Sequence, residues 1–405
     1  MIFLQQSEYI IGSRLDLSNL SHVDVDIQGG ITFTNDTDYW QENAFQFDFQ
    51  DARSFFLLGG EDVHVYGGGA LEGNGQPWWD LFYTNKTVKR PILFATVGLH
   101  GGSVSDLSLN NSPFWTNIVA NSSDVVFTDI RIRAVSHTFS FEKNTDGWDI
   151  IQSDHITIQN STVTNGDGKC ACRAERTMLI VTDCVSFKPN ATNILVQNLS
   201  CNGTHGISVG SLGQYPERID IVENILVRNI SMYNSSEGAR IKVWPDSFSE
   251  KSANLNGGGG SGSVRNVTYD GMWLDNVDYG ITITQCYGQD DEEECFKHPV
   301  SICCDLSSTI HQARLLMHFD RHASTLQTSP SGISAAGLIE SLRLSSLIWF
   351  ALAQRHVLTS ELRILISEAS TVPTKPRAAM LTLLFWILTV RSGAKVTIQP
   401  SALSL

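Results

Sequence analysis

The chain lacks any apolar stretch long enough to serve as a leader or a membrane span. Met1-Ile2-Phe3-Leu4 is followed at once by Gln5, Gln6 and Glu8, which leaves no apolar core for a secretory leader. The most apolar run, residues 379–390 (AMLTLLFWILTV), is too short to cross a bilayer. Positive charge is also scarce: 28 Lys and Arg stand against 42 Asp and Glu, a net charge of −14. That balance argues against nucleic acid and against anionic membranes as partners, while a few local cations can still hold a polyanion. Charged residues make up only 17% of the 405, with 42% hydrophobic, so the chain can bury a sizeable core.

Asn-X-Ser/Thr triplets, by contrast, are abundant. They fall at Asn19, Asn35, Asn85, Asn110, Asn121, Asn160, Asn190, Asn198, Asn202, Asn229, Asn234 and Asn266, all before residue 270. Such density reads as a secreted glycoprotein, and the eight cysteines suit an oxidising compartment. With no leader at the start, the expectation is that the natural N-terminus lies upstream.

Short alternating segments recur along the same region. They read DVVFTDIRI (124–132), HITIQNSTV (155–163), NILVQNLSC (193–201), NILVRNISM (224–232) and NVTYDGMWL (266–274). Alternation of β-branched and polar residues between turn-rich joints specifies short strands. Self-similarity at this period specifies a solenoid, and the expected fold is all-β, a right-handed parallel β-helix. The segments start at 124, 155, 193, 224 and 266, in steps of 31, 38, 31 and 42. Removing residues 168–182 reduces the step of 38 to 23, so that stretch reads as an insertion into one coil. The pattern stops near Val300. Residues 301–405, with segments such as GLIESLRLSSLIWFALAQ (337–354), read as an atypical tail, helical or non-native.

Three carboxylates stand at coil edges: Asp146, Asp167 and Asp183. Carboxylates stacked on one groove raise one another's pKa, which keeps a general acid protonated near neutral pH. Taken singly, each Asp reads equally as a turn residue. His205 and the pair Arg240 and Lys242 lie further on; residues i and i+2 of a strand share a face, so the pair presents two cations together. Two such cations suit a carboxylate-bearing ligand, and alone they read as a solvated surface pair.

In order along the chain stand Asn144-Thr145-Asp146, Asp167 with Asp183, Thr204-His205-Gly206 and Arg240-Ile241-Lys242. This series resembles glycoside hydrolase family 28, the polygalacturonases, over about residues 22–300. The surrounding segments NDTDYW (35–40), GARIKVWP (238–245) and TQCYGQ (284–289) are similar to its fungal exo-acting branch. Two departures stand out: Thr204 replaces a glycine, and the family's adjacent Asp pair is divided by residues 168–182.

The resemblance implies inverting hydrolysis of α-1,4-galacturonosyl bonds, with no metal or cofactor. Asp167 is then the general acid, Asp146 and Asp183 position and deprotonate the water, and His205 tunes the acid. Arg240, Lys242 and Tyr279 are implied to bind the sugar acid, and Cys184–Cys201 and Cys286–Cys295 to form disulfides. The implied partner is polygalacturonate (pectin) or oligogalacturonides, met by a secreted monomer that engages neither nucleic acid nor membrane. Two alternatives remain at this level. One is a pectin-binding β-helix impaired by the divided Asp pair; the other is a hydrolase of rhamnogalacturonan or xylogalacturonan.

Overall fold

The computed structural model describes residues 2–4, 6–165, 182–247, 249–252, 255–289, 295, 297–298, 316–317, 362–370, 382–391 and 395–403. Gly166 to Val181, which include Asp167, and the segment 337–354 lie outside the described residues.

The repeating segments stack as parallel strands into one long sheet wound into a β-helix. Their register follows the sequence spacing: Val125 pairs with Ile156, Thr157 with Leu195, Ile194 with Ile225, and Ile225 with Val267. The alternation explains the register, because a slip of one residue would turn every inward aliphatic outward. Val125, Ile156, Ile194 and Ile225 accordingly line the core, at most 2% exposed. Towards the N-terminus, two helices add aromatic bulk. Helix α1 (Thr37–Asn43) starts at Asp36, whose carboxylate accepts from the Tyr39 amide at 3.1 Å, and it buries Trp40. Helix α2 (Gly75–Thr84) buries Trp78, Trp79 and Phe82.

Asparagines make the bend on one side of the coils. Asn160, Asn198 and Asn229 all have φ between 51° and 56°, left-handed backbone that Asn tolerates better than most residues. The Asn198 amide donates to Asn160 Oδ1 at 3.0 Å, and that of Asn229 to Asn198 Oδ1 at 2.5 Å. A second ladder runs Asn193, Asn224, Asn266, and a third Asn202, Asn234, Asn276. The ladders also explain many of the glycosylation triplets. The coil needs Asn at the bend, then an inward residue (Ser161, Leu199 and Ile230 are buried), then an outward Ser or Thr. Asn35, Asn85, Asn121 and Asn190 are exposed and belong to none of the three ladders.

The described parts of the tail are strands rather than helices. Leu362–Ser370, Thr382–Arg391 and Lys395–Leu403 form an antiparallel sheet. The β-branched and aromatic content of LRILISEAS and TLLFWILTVR accounts for this, and it outweighs the helical tendency expected of the tail. Among the described residues no helix is long and apolar enough to cross a membrane.

Candidate active site

A stack of short strands carries the site: Asn117–Ala120, Trp148–Ile151, Val185–Phe187, Ile207–Leu212, Glu237–Val243 and Tyr279–Thr284. Asn117, Trp148, Val185, Ile207, Ala239 and Ile281 are register partners in successive coils. Two residues before each of them stand Trp115, Asp146, Asp183, His205, Glu237 and Tyr279. The motifs that look separate in the sequence are therefore one repeated position. The residue after it is glycine in Asp146-Gly147, His205-Gly206, Glu237-Gly238 and Tyr279-Gly280. Gly206 has φ +95°, and a Cβ there would lie 2.5 Å from the Gly238 carbonyl oxygen, so only glycine fits.

The structure brings Asp146, Asp183, His205, Arg240 and Lys242 together, with Tyr279 half-buried at the far end of the column. Lys242 Nζ donates to Asp183 Oδ2 at 2.6 Å, and Ser208 donates to Asp183 Oδ1 at 2.7 Å. Burial pushes the Asp183 carboxyl up, but Lys242, Arg240 and His205 outweigh it and hold the group well below the usual carboxylate range. Asp146 moves the other way. Burial and the neighbouring carboxylates Asp149 and Asp183 raise it well above its ordinary value, and its Oδ1 has no hydrogen-bond partner. Asp183 is thus held as the anion and Asp146 is driven towards the acid.

His205 is 2% exposed. The Arg240 guanidinium donates to its Nδ1, and since Arg has no acceptor, the neutral ring must carry its proton on Nε2. Burial, followed by Arg240, lowers its pKa to about 3. Its Nε2 lacks a hydrogen bond and faces Glu237 Oε2 at 3.7 Å.

Several contributors escape a reading of the sequence. Asp149 is completely buried, with Lys188 Nζ 3.0 Å from its Oδ1, close enough for an ion pair though off the line of a good hydrogen bond. Burial raises Asp149 to about 6 against the pull of Lys188. A charge inside the aliphatic strands WDII and VSFK was the available signal for both residues. Arg90 left no such signal. From the loop after α2 it donates to the carbonyls of Pro113 and Lys143 and to Asn144 Oδ1, clamping the turn that presents Asp146. Arg90, Asp146, Asp183, Lys188 and Lys242 line a cavity of about 390 Å³ together with Trp115 and Tyr287. That size suits a small-molecule site.

Thr182 also lies inside the coil rather than in the interruption expected at 168–182. It is 1% exposed, its Oγ1 accepts from the Thr145 amide at 3.1 Å, and its carbonyl accepts from the His205 amide at 2.6 Å. Disulfides join Cys184 to Cys201 and Cys286 to Cys295.

Stacked coils that carry Asp146, Asp183 and Lys242 to one cavity define a parallel β-helix with a polar, charged edge, and the chain belongs to glycosyl hydrolases family 28, whose model matches residues 8–305. It is 57% identical over 302 residues to an exopolygalacturonase of Cochliobolus carbonum, an alignment covering 75% of this chain and 64% of that relative. Against exopolygalacturonase X-1 of Emericella nidulans the identity is 56%, covering 75% and 66%. The chain thus spans just under two thirds of the length of these relatives. Among solved structures, endo-xylogalacturonan hydrolase from Aspergillus tubingensis matches with a TM-score of 0.61 at 32% identity, over 77% of this chain and 74% of that one. Endopolygalacturonase I from Stereum purpureum shares the fold, with a TM-score of 0.53 at 21% identity, over 77% and 78%.

Proposed function

We propose that the protein binds polygalacturonate and hydrolyses its α-1,4-galacturonosyl bonds with inversion, acting from a chain end to release galacturonic acid. The observation that carries this reading is the opposed state of two neighbouring carboxyls, Asp183 held ionised and Asp146 driven towards the acid, beside paired cations. Such separation leaves Asp183 as the ionised carboxylate able to take a proton from water, with a protonated Asp146 beside it. Asp183 takes the proton of the attacking water, Asp146 hydrogen-bonds that water, and Asp167 protonates the leaving oxygen. Bond cleavage and water attack occur on opposite faces of the sugar, and inversion follows. His205, neutral and fixed by Arg240, keeps the local charge balance, and Arg240, Lys242 and Tyr279 hold the sugar acid. On this reading residues 1–300 are the working unit, residues 301–405 an atypical addition, and the protein is a secreted monomer.

One observation favours a second reading. Thr182 fills the coil position immediately before Asp183, where the family places the first aspartate of its pair. A chain whose Asp167 is kept from that place binds pectin without cutting it, since a misplacement of about 1 Å can cost about a hundredfold in rate. The test is to incubate the purified chain with polygalacturonate and with xylogalacturonan and to resolve the products by chromatography. Galacturonic acid as the main product supports hydrolysis, and binding without release supports the second reading. A chain that neither binds nor cuts either polymer overturns both.

A further inference from the structure

Lys188 has no role in the reading above, yet its side chain forms part of the cavity wall and is 7% exposed. It stands three residues after Val185, as Lys242 stands three residues after Ala239, the register partner of Val185 two coils on. The two lysines therefore occupy equivalent places, displaced by roughly 10 Å along the helix axis.

They are also built alike. Lys242 Nζ sits 2.6 Å from Asp183 Oδ2 and 5.6 Å from the centre of the Tyr287 ring. Lys188 Nζ sits 3.0 Å from Asp149 Oδ1 and 5.3 Å from the centre of the Trp115 ring. In each case an aspartate anchors the ammonium and an aromatic face stands beside it. An ammonium has three donors, and a single neighbouring carboxylate oxygen engages at most one of them.

Charge neutralisation alone is a poor reason for such a pair. Replacing a buried ion pair with apolar side chains is often neutral or stabilising, so its presence is weak evidence for a stabilising role. A cation on a cavity wall is, in contrast, what a carboxylate-bearing ligand requires. Along the axis, Trp115 and Asp149 lie in the coils before Asp183, and Lys188 lies in the coil of Asp183 with its ammonium reaching back to Asp149, while Arg240, Lys242 and Tyr279 lie in later coils. Polygalacturonate carries one carboxylate per sugar, so cations on one side of the acids account for one sugar only.

We propose that Lys188 is a second sugar-acid recognition residue, binding the carboxylate of the galacturonate on the N-terminal side of Asp183. Asp149 orients the ammonium and Trp115 supplies the face for the ring. The inference rests on the polygalacturonate reading, and it adds that both sugars flanking the cut must be free acids.

The test is calorimetric binding of trigalacturonate, and of its fully methyl-esterified form, to the full-length chain and three variants. Lys188→Met is expected to weaken trigalacturonate binding by roughly ten- to a hundredfold and to leave binding of the ester unchanged. Lys188→Arg retains the charge and most of the affinity. The double variant Asp149→Asn/Lys188→Met removes both charges at once and is expected to bind as weakly as Lys188→Met. Recovery of affinity in the double variant would show that Lys188 merely neutralises Asp149, and would overturn the proposal. Parent-like affinity in Lys188→Met would also overturn it. Failure of the parent chain itself to bind trigalacturonate removes the polygalacturonate reading and this inference with it, an outcome visible before any variant is made.

Discussion

Each coil bends in two places that carry polar columns, and the two bends behave differently. At one, Asn160, Asn198 and Asn229 repeat the same side chain and hydrogen-bond to one another. At the other, Asp146, Asp183, His205, Glu237 and Tyr279 place four kinds of side chain at one repeated position. An amide both donates and accepts, so identical amides satisfy each other indefinitely. Ionised carboxylates only accept, so a column of them must import protons or cations. Lys188, Lys242 and Arg240 are the imports, and Asp146 is the member driven towards protonation. The comparison separates a bend that maintains the coil from one that stores chemical potential at its edge.

Substitutions matched across the two bends test that separation. The largest effect is expected from Asp183→Asn, which removes the ionised carboxylate and should slow galacturonate release by roughly 10²–10⁴-fold in a product assay. Next comes Lys242→Met, which leaves Asp183 buried and unpaired; urea unfolding should register a loss of roughly 3–5 kcal/mol. Gly238→Ala drives a Cβ to 2.6 Å from the Gly280 carbonyl oxygen and should cost roughly 1–3 kcal/mol by the same measurement.

Acid should then act selectively on the charged bend. Burial and Arg240 lower His205 from 6.5 to about 3, so the folded state binds fewer protons than the unfolded. Its contribution is complete above pH 6.5 and is lost progressively as pH falls towards 3. Asp183, also depressed, contributes above its ordinary 3.8 and is lost below it. The difference in urea midpoint between pH 7 and pH 4.5 should therefore shrink in His205→Gln. The smallest effect belongs to the other bend. Asn198→Ala breaks two ladder bonds at a left-handed residue, and should cost about 1–2 kcal/mol and leave sugar binding unchanged. A comparable loss of binding there would collapse the distinction.

Much of this frame is legible in the sequence. Alternation fixed the strands and the spacing of the Asn bends fixed their register, because inward aliphatics tolerate no slip. Asp146, Asp183, His205, Arg240 and Lys242 stood out as motifs, but their common origin did not. Coils of unequal length place Asp146, Asp183, His205 and Glu237 37, 22 and 32 residues apart, which hides a repeat that only the register reveals. Asp149 and Lys188 carry a single signal, a charge in or just after a short apolar strand, which says nothing of the cavity they meet at. Arg90 reaches the cavity from a non-repetitive loop that no periodicity could place, and Trp115 shares the repeated position but differs in kind from the polar residues that follow it. Thr182 has no sequence feature that separates it from residues 168–181, whereas its hydrogen bonds to Thr145 and His205 put it in the coil.

The asparagine ladders limit how sugars can be attached to this surface. Adjacent rungs are one coil, about 4.8 Å, apart, which is less than the width of a glycan core. Asn160, Asn198 and Asn229 all lie in acceptor triplets, yet no two neighbouring rungs can be occupied in the same molecule. Occupancy along a ladder is thus anticorrelated. A glycosylated preparation would be a mixture of molecules with alternating rungs filled.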